Sequence, residues 1–209
     1  MQREPHQKVN QFALPHGVGG RVVGWLMAAF NADMERSAVN AVALSGGESV
    51  LEIGFGPGVG IRTLTKRLPR GFVAGVDPSD VMVQQATRRN REAIGRGQVE
   101  LRQATASTLP WEAERFDAVV SVNNVQEWPS LPGDLQEVWR VLRPGGRLAI
   151  AVHAWVAKYA KDRGEPQRPW DEHIAGALRA TAFSDVVTRR GRAMSGRALY
   201  LTARKRSAA

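Results

Sequence analysis

Short apolar runs alternate with helix-period segments along this 209-residue chain from Val50 onward. Val50-Leu51-Glu52-Ile53, Phe72 to Val76 and Phe116 to Val122 are rich in Val, Leu, Ile and Phe, the composition of strands buried on both faces. Val99 to Gln103 alternates as another strand, and Leu148 to Val152 predicts a fifth. The stretches between them change period. Residues around Thr63 and Leu64 predict a first crossover helix, and Val81, Met82 and Ala86 lie on one face of a second, with Ser79 or Asp80 as its N-cap. Leu135 to Leu142 carries a third helix, which Pro144-Gly145-Gly146 ends. Alternation of this kind implies an α/β fold around a parallel sheet. Upstream, Val22, Val23, Trp25, Leu26, Met27 and Phe30 predict a helix with a broad apolar face, and a second helix is expected over Met34 to Leu44.

The first strand runs into a glycine-dense turn, with Gly54, Gly56, Gly58 and Gly60 behind the acidic Glu52. Alternating glycines allow a tight turn and a close approach of backbone to a ligand, and the amides opening the next helix face whatever sits there. The dinucleotide fingerprint G-x-G-x-x-G needs glycine or alanine at its third position, where Val59 stands counting from Gly54, so a nicotinamide site is disfavoured. The second strand ends in Asp77-Pro78-Ser79, an acid whose two oxygens suit a cis-diol.

The pattern Glu52-x-Gly54-x-Gly56-x-Gly58 resembles motif I of the class I S-adenosylmethionine-dependent methyltransferases, and later motifs follow in family order from 50 to 152, ending in the signature Leu135 to Leu148. The resemblance implies a Rossmann-like, doubly wound seven-stranded sheet, mostly parallel with an antiparallel last strand and helices on both faces. Val186 to Thr188 and Ala198 to Thr202 are then strands six and seven. It implies S-adenosylmethionine as cofactor and S-adenosylhomocysteine as product. Glu52, Gly54, Gly56 and Gly58 would form the cofactor loop, Asp77 and Pro78 would meet the ribose, and Met82 would lie near the adenine. Thr105, beside Ala106, stands where the family has an Asp, so a neutral hydroxyl replaces a charged acceptor and looser binding is expected. Asn123 would sit beside the methionine part. Residues 1–45 are expected as a helical lid segment over a core of 46–209, as in many relatives.

Composition narrows the chemistry. With 43% hydrophobic residues the chain can bury a core, and with no Cys it has neither disulfides, a cysteine nucleophile nor a thiolate metal site. The histidines at 6, 16, 153 and 173 show no metal-ligand spacing, so no metal is expected. No apolar run reaches a membrane span and the N-terminus lacks a secretory apolar region, so no membrane association and a cytoplasmic protein are expected. The net charge of +9 keeps nucleic acid in play. Part of it is Arg204-Lys205-Arg206, read as a solvated tail, and Arg189-Arg190-Gly191-Arg192, which would follow strand six on the ligand side.

Direct methyl displacement asks the protein for orientation, exclusion of water and removal of an acceptor proton. His153, just past strand five, is the first candidate base and His16, in the lid segment, the second. Tryptophans at 128, 155 and 170 either line an aromatic acceptor site or belong to the core. Val122-Asn123-Asn124-Val125 lacks the Asn/Asp-Pro-Pro-aromatic pattern of many enzymes that methylate amino groups of nucleic acids and proteins. A small-molecule O- or N-acceptor is the expected substrate; the alternatives are an RNA methyltransferase and a noncatalytic S-adenosylmethionine-binding protein.

Overall fold

A computed structural model describes residues 32–154, 169–194 and 196–207. His16, the helix expected over Val22 to Phe30 and Trp155 lie outside the described residues. Seven strands form one sheet: β1 (Ser49–Ile53), β2 (Phe72–Asp77), β3 (Val99–Gln103), β4 (Phe116–Val122), β5 (Leu142–His153), β6 (Phe183–Ala193) and β7 (Gly196–Lys205). Their order is β3-β2-β1-β4-β5-β7-β6. β3, β2, β1, β4 and β5 pair in parallel, and β7 runs antiparallel to both of its neighbours. The sheet is thus Rossmann-like and mostly parallel, with only β7 reversed.

Two helical layers cover it. On one face lie α1 (residues 32–41), α2 (Val59–Arg67), α3 (Asp80–Arg89) and α4 (Arg91–Gly95), burying Met34, Val39, Ile61, Leu64 and Ala86 against Val50, Val73 and Val120. On the other lie α5 (Leu131–Val141) and α6 (Trp170–Ala180), burying Leu135, Val138, Ile174 and Leu178 against Leu51, Val119, Leu148 and Leu201. The period-2 alternation of the strands sorts side chains between these layers, so Leu51 and Ile53 face α5 while Val50 faces α1 and α2. Under α1 the β5 and β7 positions are small, Ala149, Ala151 and Ala198, which lets the helix sit close to the sheet.

Ser79 caps α3: its hydroxyl accepts the Met82 amide at 3.3 Å. Pro144-Gly145-Gly146 does not separate helix from strand, because β5 begins at Leu142 and carries these residues as a bulge between the pairs Phe116↔Leu142 and Ala118↔Arg147. β6 and β7 are longer than the apolar pattern suggests, since backbone pairing continues through polar residues to Ala193↔Gly196. Arg189 to Arg192 therefore lie within β6, and Arg190 binds Asp171 of α6 at 2.6 Å.

The expected solvated tail is corrected at Lys205. This residue is 3% exposed; its ammonium donates to the Leu142 carbonyl at 2.8 Å and stands 3.9 Å from the Trp139 ring centre. Strand pairing to the last turn of β7 carries it beneath α5, where a carbonyl and an aromatic face replace water. Trp170 is likewise core, 7% exposed and packed with the α5–α6 layer. Among the described residues no helix is long and apolar enough to cross a membrane, and no group of three or more His, Asp or Glu could hold a metal ion.

Candidate active site

Strand order reverses between β1 and β4, so the chains leaving these strands diverge and open a crevice at the carboxyl edge of the sheet. A cavity of about 210 Å³ lies there. Ile53, Gly54 and Val76 form its floor; Asp77, Pro78 and Met82 form one side; Asn124, Glu127, Trp128 and Pro129 form the other. Ala104, Thr105 and Ala106 complete it.

Gly54 takes φ +73° and donates its amide to the Val76 carbonyl at 2.8 Å, which turns the chain sharply off β1. A Cβ on Gly54 would stand 2.2 Å from the Asn124 side chain. Asn124 in turn accepts the Trp128 indole N–H at 2.5 Å, which fixes the loop after β4, while its contact with Gly54 seats that loop against the turn after β1. Gly56 and Gly58 do not line the cavity but shape the loop. The Gly56 amide reaches Asp77, and Gly58, at φ +80°, lets α3 approach so closely that a Cβ would meet the Ala86 Cβ at 2.7 Å.

Asp77 is 6% exposed. Its Oδ2 accepts the Gly56 amide and its Oδ1 the Ser79 amide, each at 2.9 Å. Burial pushes its pKa up to about 6 even though these two amides pull it down. Each carboxylate oxygen accepts one amide and retains a second lone pair, the acceptor set a ribose diol requires. Val76, Pro78, Met82, Ala104 and Ala106 supply apolar surface beside it for a purine. The residues present therefore fit the nucleoside of S-adenosylmethionine.

Glu52 does not line the cavity. It projects beneath the glycine loop, where Oε1 would be 2.1 Å from a Cβ on Gly60, and it is 2% exposed. Glu35 of α1, 7% exposed, faces the same interior, and Oε2 of each acid has no hydrogen-bond partner among the described residues. Burial, and then the neighbouring Glu35 and Asp77 charges, raise the Glu52 pKa well above its ordinary value. Burial likewise raises Glu35 to about 8, against the opposing charges of Arg89 and Arg36.

Asn123 occupies the left-handed region at φ +49°. Its side chain accepts the His153 amide at 2.9 Å and donates to the Met34 sulfur at 3.6 Å, so it ties β4 to β5 and α1. The adjacent Asn124 is the one that lines the cavity. His153 closes β5, 4% exposed and outside the cavity lining; burial lowers its pKa, opposed by the Asp33 charge. Sequence reasoning named Asn123 rather than Asn124 for the cofactor site and missed Glu35, since nothing local marks an α1 carboxylate as a neighbour of Glu52.

Known proteins match this arrangement. The methyltransferase-domain family matches residues 50–146. The uncharacterized methyltransferase YdaC of Bacillus subtilis (strain 168) is 30% identical over 165 residues, covering 79% of this chain and 87% of that protein. The ubiquinone/menaquinone biosynthesis C-methyltransferase UbiE of Syntrophotalea carbinolica is 35% identical over 114 residues, 54% of this chain and 47% of that one. A solved structure of Haemonchus contortus phosphoethanolamine N-methyltransferase 2, in complex with phosphomonomethylethanolamine and S-adenosylhomocysteine, superposes with a TM-score of 0.77, with 17% identity over 98% of this chain and 62% of that one. With YdaC matched over most of both sequences, and with the cavity and sheet order described above, the chain belongs to the class I S-adenosylmethionine-dependent methyltransferases.

Proposed function

We propose that this methyltransferase acts on an oxygen or nitrogen atom of a small-molecule acceptor. The observation that carries this reading is the cavity wall formed by Trp128 and Pro129, which offers apolar surface next to the cofactor-binding residues in a space of about 210 Å³. The phosphoethanolamine N-methyltransferase supports both parts of this reading, whereas UbiE, a C-methyltransferase of ubiquinone and menaquinone biosynthesis, supports the small-molecule acceptor alone.

The cofactor, when bound, supplies an electrophilic methyl group on a sulfonium. Asp77 holds the ribose hydroxyls with the oxygens that Gly56 and Ser79 orient, and Met82, Ala104 and Ala106 wall the adenine. Thr105 offers its edge a neutral hydroxyl. Asn124 and Trp128, joined by their hydrogen bond, keep the loop after β4 against Gly54 and exclude water from that side. His153, although outside the cavity lining, stays the first candidate to take the acceptor proton on an imidazole nitrogen; its lowered pKa keeps the ring neutral, and so able to accept, at neutral pH. His16 is the second candidate for that step; within the residues 1–45 assigned to a lid, α1 packs on the sheet, so the lid role falls to the residues before it.

Calorimetric titration with S-adenosylmethionine, S-adenosylhomocysteine and NAD tests the cofactor half. Both sulfur compounds are expected to bind and NAD is not, and Asp77→Ala is expected to weaken binding by about tenfold or more, the loss of charge-assisted hydrogen bonds. Radiolabelled methyl transfer to phenols and amines, with oligoribonucleotides alongside, tests the acceptor half. Transfer to RNA alone would sink the small-molecule reading, and binding without transfer to any acceptor would leave a noncatalytic cofactor-binding protein.

A further inference from the structure

A second concave site lies outside the cofactor cavity. Between α2 on one wall and the α3–α4 segment on the other runs a groove of about 340 Å³. Arg62 and Lys66 of α2 line one side, and Arg88, Arg89, Arg91 and Arg96 line the other; Glu92 is its single acid. Several basic residues elsewhere are neutralised in place: Arg140 by Glu137, Arg143 by Asp117, Arg190 by Asp171. None of the six groove cations forms an ion pair among the described residues.

Like charges gathered in a concavity raise each other's energy, and an anion placed between them lowers it. Burial lowers the Arg89 pKa from its ordinary value and Arg62 adds to that effect, while Glu35 opposes it. Arg62 and Lys66 stand one helical turn apart, about 6 Å along α2, so the groove presents its charges in series rather than at one point. We propose that this groove binds the phosphodiester backbone of a single-stranded polynucleotide.

A strand lying between the two walls meets cations on both sides, whereas a flat anionic bilayer meets only the rims. The large apolar side chains that are exposed among the described residues, Val187 and Met194, also lie on β6 and its hairpin, at the opposite edge of the sheet from β2 and β3. No aromatic residue lines the groove, so contact runs through phosphates and is insensitive to base sequence. The upper end of the groove touches the cofactor loop, because Arg89 donates to the Pro57 carbonyl and Asn90 to that of Gly58. The inference does not depend on the acceptor proposed above, since it concerns a surface separate from the Trp128 wall.

Fluorescence anisotropy with a labelled oligouridylate, over a series of salt concentrations, tests it. The variant Arg62→Gln/Lys66→Gln/Arg96→Gln spares Arg89 and its loop contact; Arg189→Gln/Arg192→Gln/Arg197→Gln removes equal charge at the far edge. Retained S-adenosylhomocysteine binding by calorimetry establishes that each variant is folded. The groove variant is expected to bind the oligonucleotide about tenfold or more weakly, with the slope of log K against log salt shallower by about 2 for three lost phosphate contacts. The far-edge variant is expected to stay within about threefold of the parent. Equal losses in the two variants, or an unaffected groove variant, overturn the proposal. So does flotation with phosphatidylglycerol vesicles by a protein that leaves the oligonucleotide's anisotropy unchanged.

Discussion

Burial raises the proton affinity of three carboxylates, Glu35, Glu52 and Asp77, and the charges of the other two raise Glu52 further; together they carry the pH behaviour of the cofactor end of the sheet. Glu35 keeps its proton to about pH 8 in the folded chain, against an ordinary value of 4.5. Between those two values the folded state holds a proton that the unfolded state has released. Stability therefore falls as pH rises through that window and levels off above about 8. Glu35→Gln removes this dependence. The melting temperature of the parent is expected to decline relative to Glu35→Gln from about pH 4.5 to about 8, measured by circular dichroism; parallel curves would show that Glu35 does not hold its proton there. Asp77 acts on binding in the opposite sense. Only its ionised form offers two acceptor oxygens to a diol, so cofactor affinity is expected to drop as pH is lowered through about 6, and calorimetry at pH 5 and 7.5 reads that change.

The turn from β1 into α2 works because three glycines solve different problems. Gly54 clears space for Asn124, Gly56 presents an amide to Asp77, and Gly58 admits α3 with Ala86 and Asn90 at van der Waals range. Gly58→Ala would add a methyl at 2.7 Å from both the Ala86 Cβ and the Asn90 amide nitrogen while forcing alanine to φ +80°. A destabilisation of about 1–3 kcal/mol is expected, read as a melting temperature lower by about 2–10 °C. An unchanged melting temperature would mean that α3 moves away at little cost. The glycine spacing was visible in the sequence because turn chemistry is local. The partners that make each glycine necessary come from β4 and α3, and no spacing rule names them.

The seven-stranded sheet joins the two helical layers into one unit, and its last strand is anchored at both ends. β7 pairs with β5 from Arg147↔Arg204 to His153↔Ala198, and Lys205 seals its end under α5. Lys205→Ala would leave the buried Leu142 carbonyl without this donor and strip a cation from the Trp139 face. A cost of about 1–3 kcal/mol in chemical denaturation is expected, larger than for Arg206→Ala at the exposed end of the chain. Equal effects of the two substitutions would return Lys205 to the status of a surface charge.

Sequence alone determined the strand and helix order, the glycine turn and the acid at the end of β2, and narrowed the cap of α3 to Ser79 or Asp80, because each depends on residues within a few positions of one another. Tertiary structure decided the rest. It chose Asn124 over Asn123 for the cavity, since a left-handed residue at 123 turns its own side chain toward His153 and Met34. It brought Glu35 beside Glu52 across the α1–β1 packing, drew Lys205 out of water, and gathered cations from positions 62 to 96 into one groove. These are contacts between segments far apart in the chain, and their chemistry arises only when burial removes water from between them.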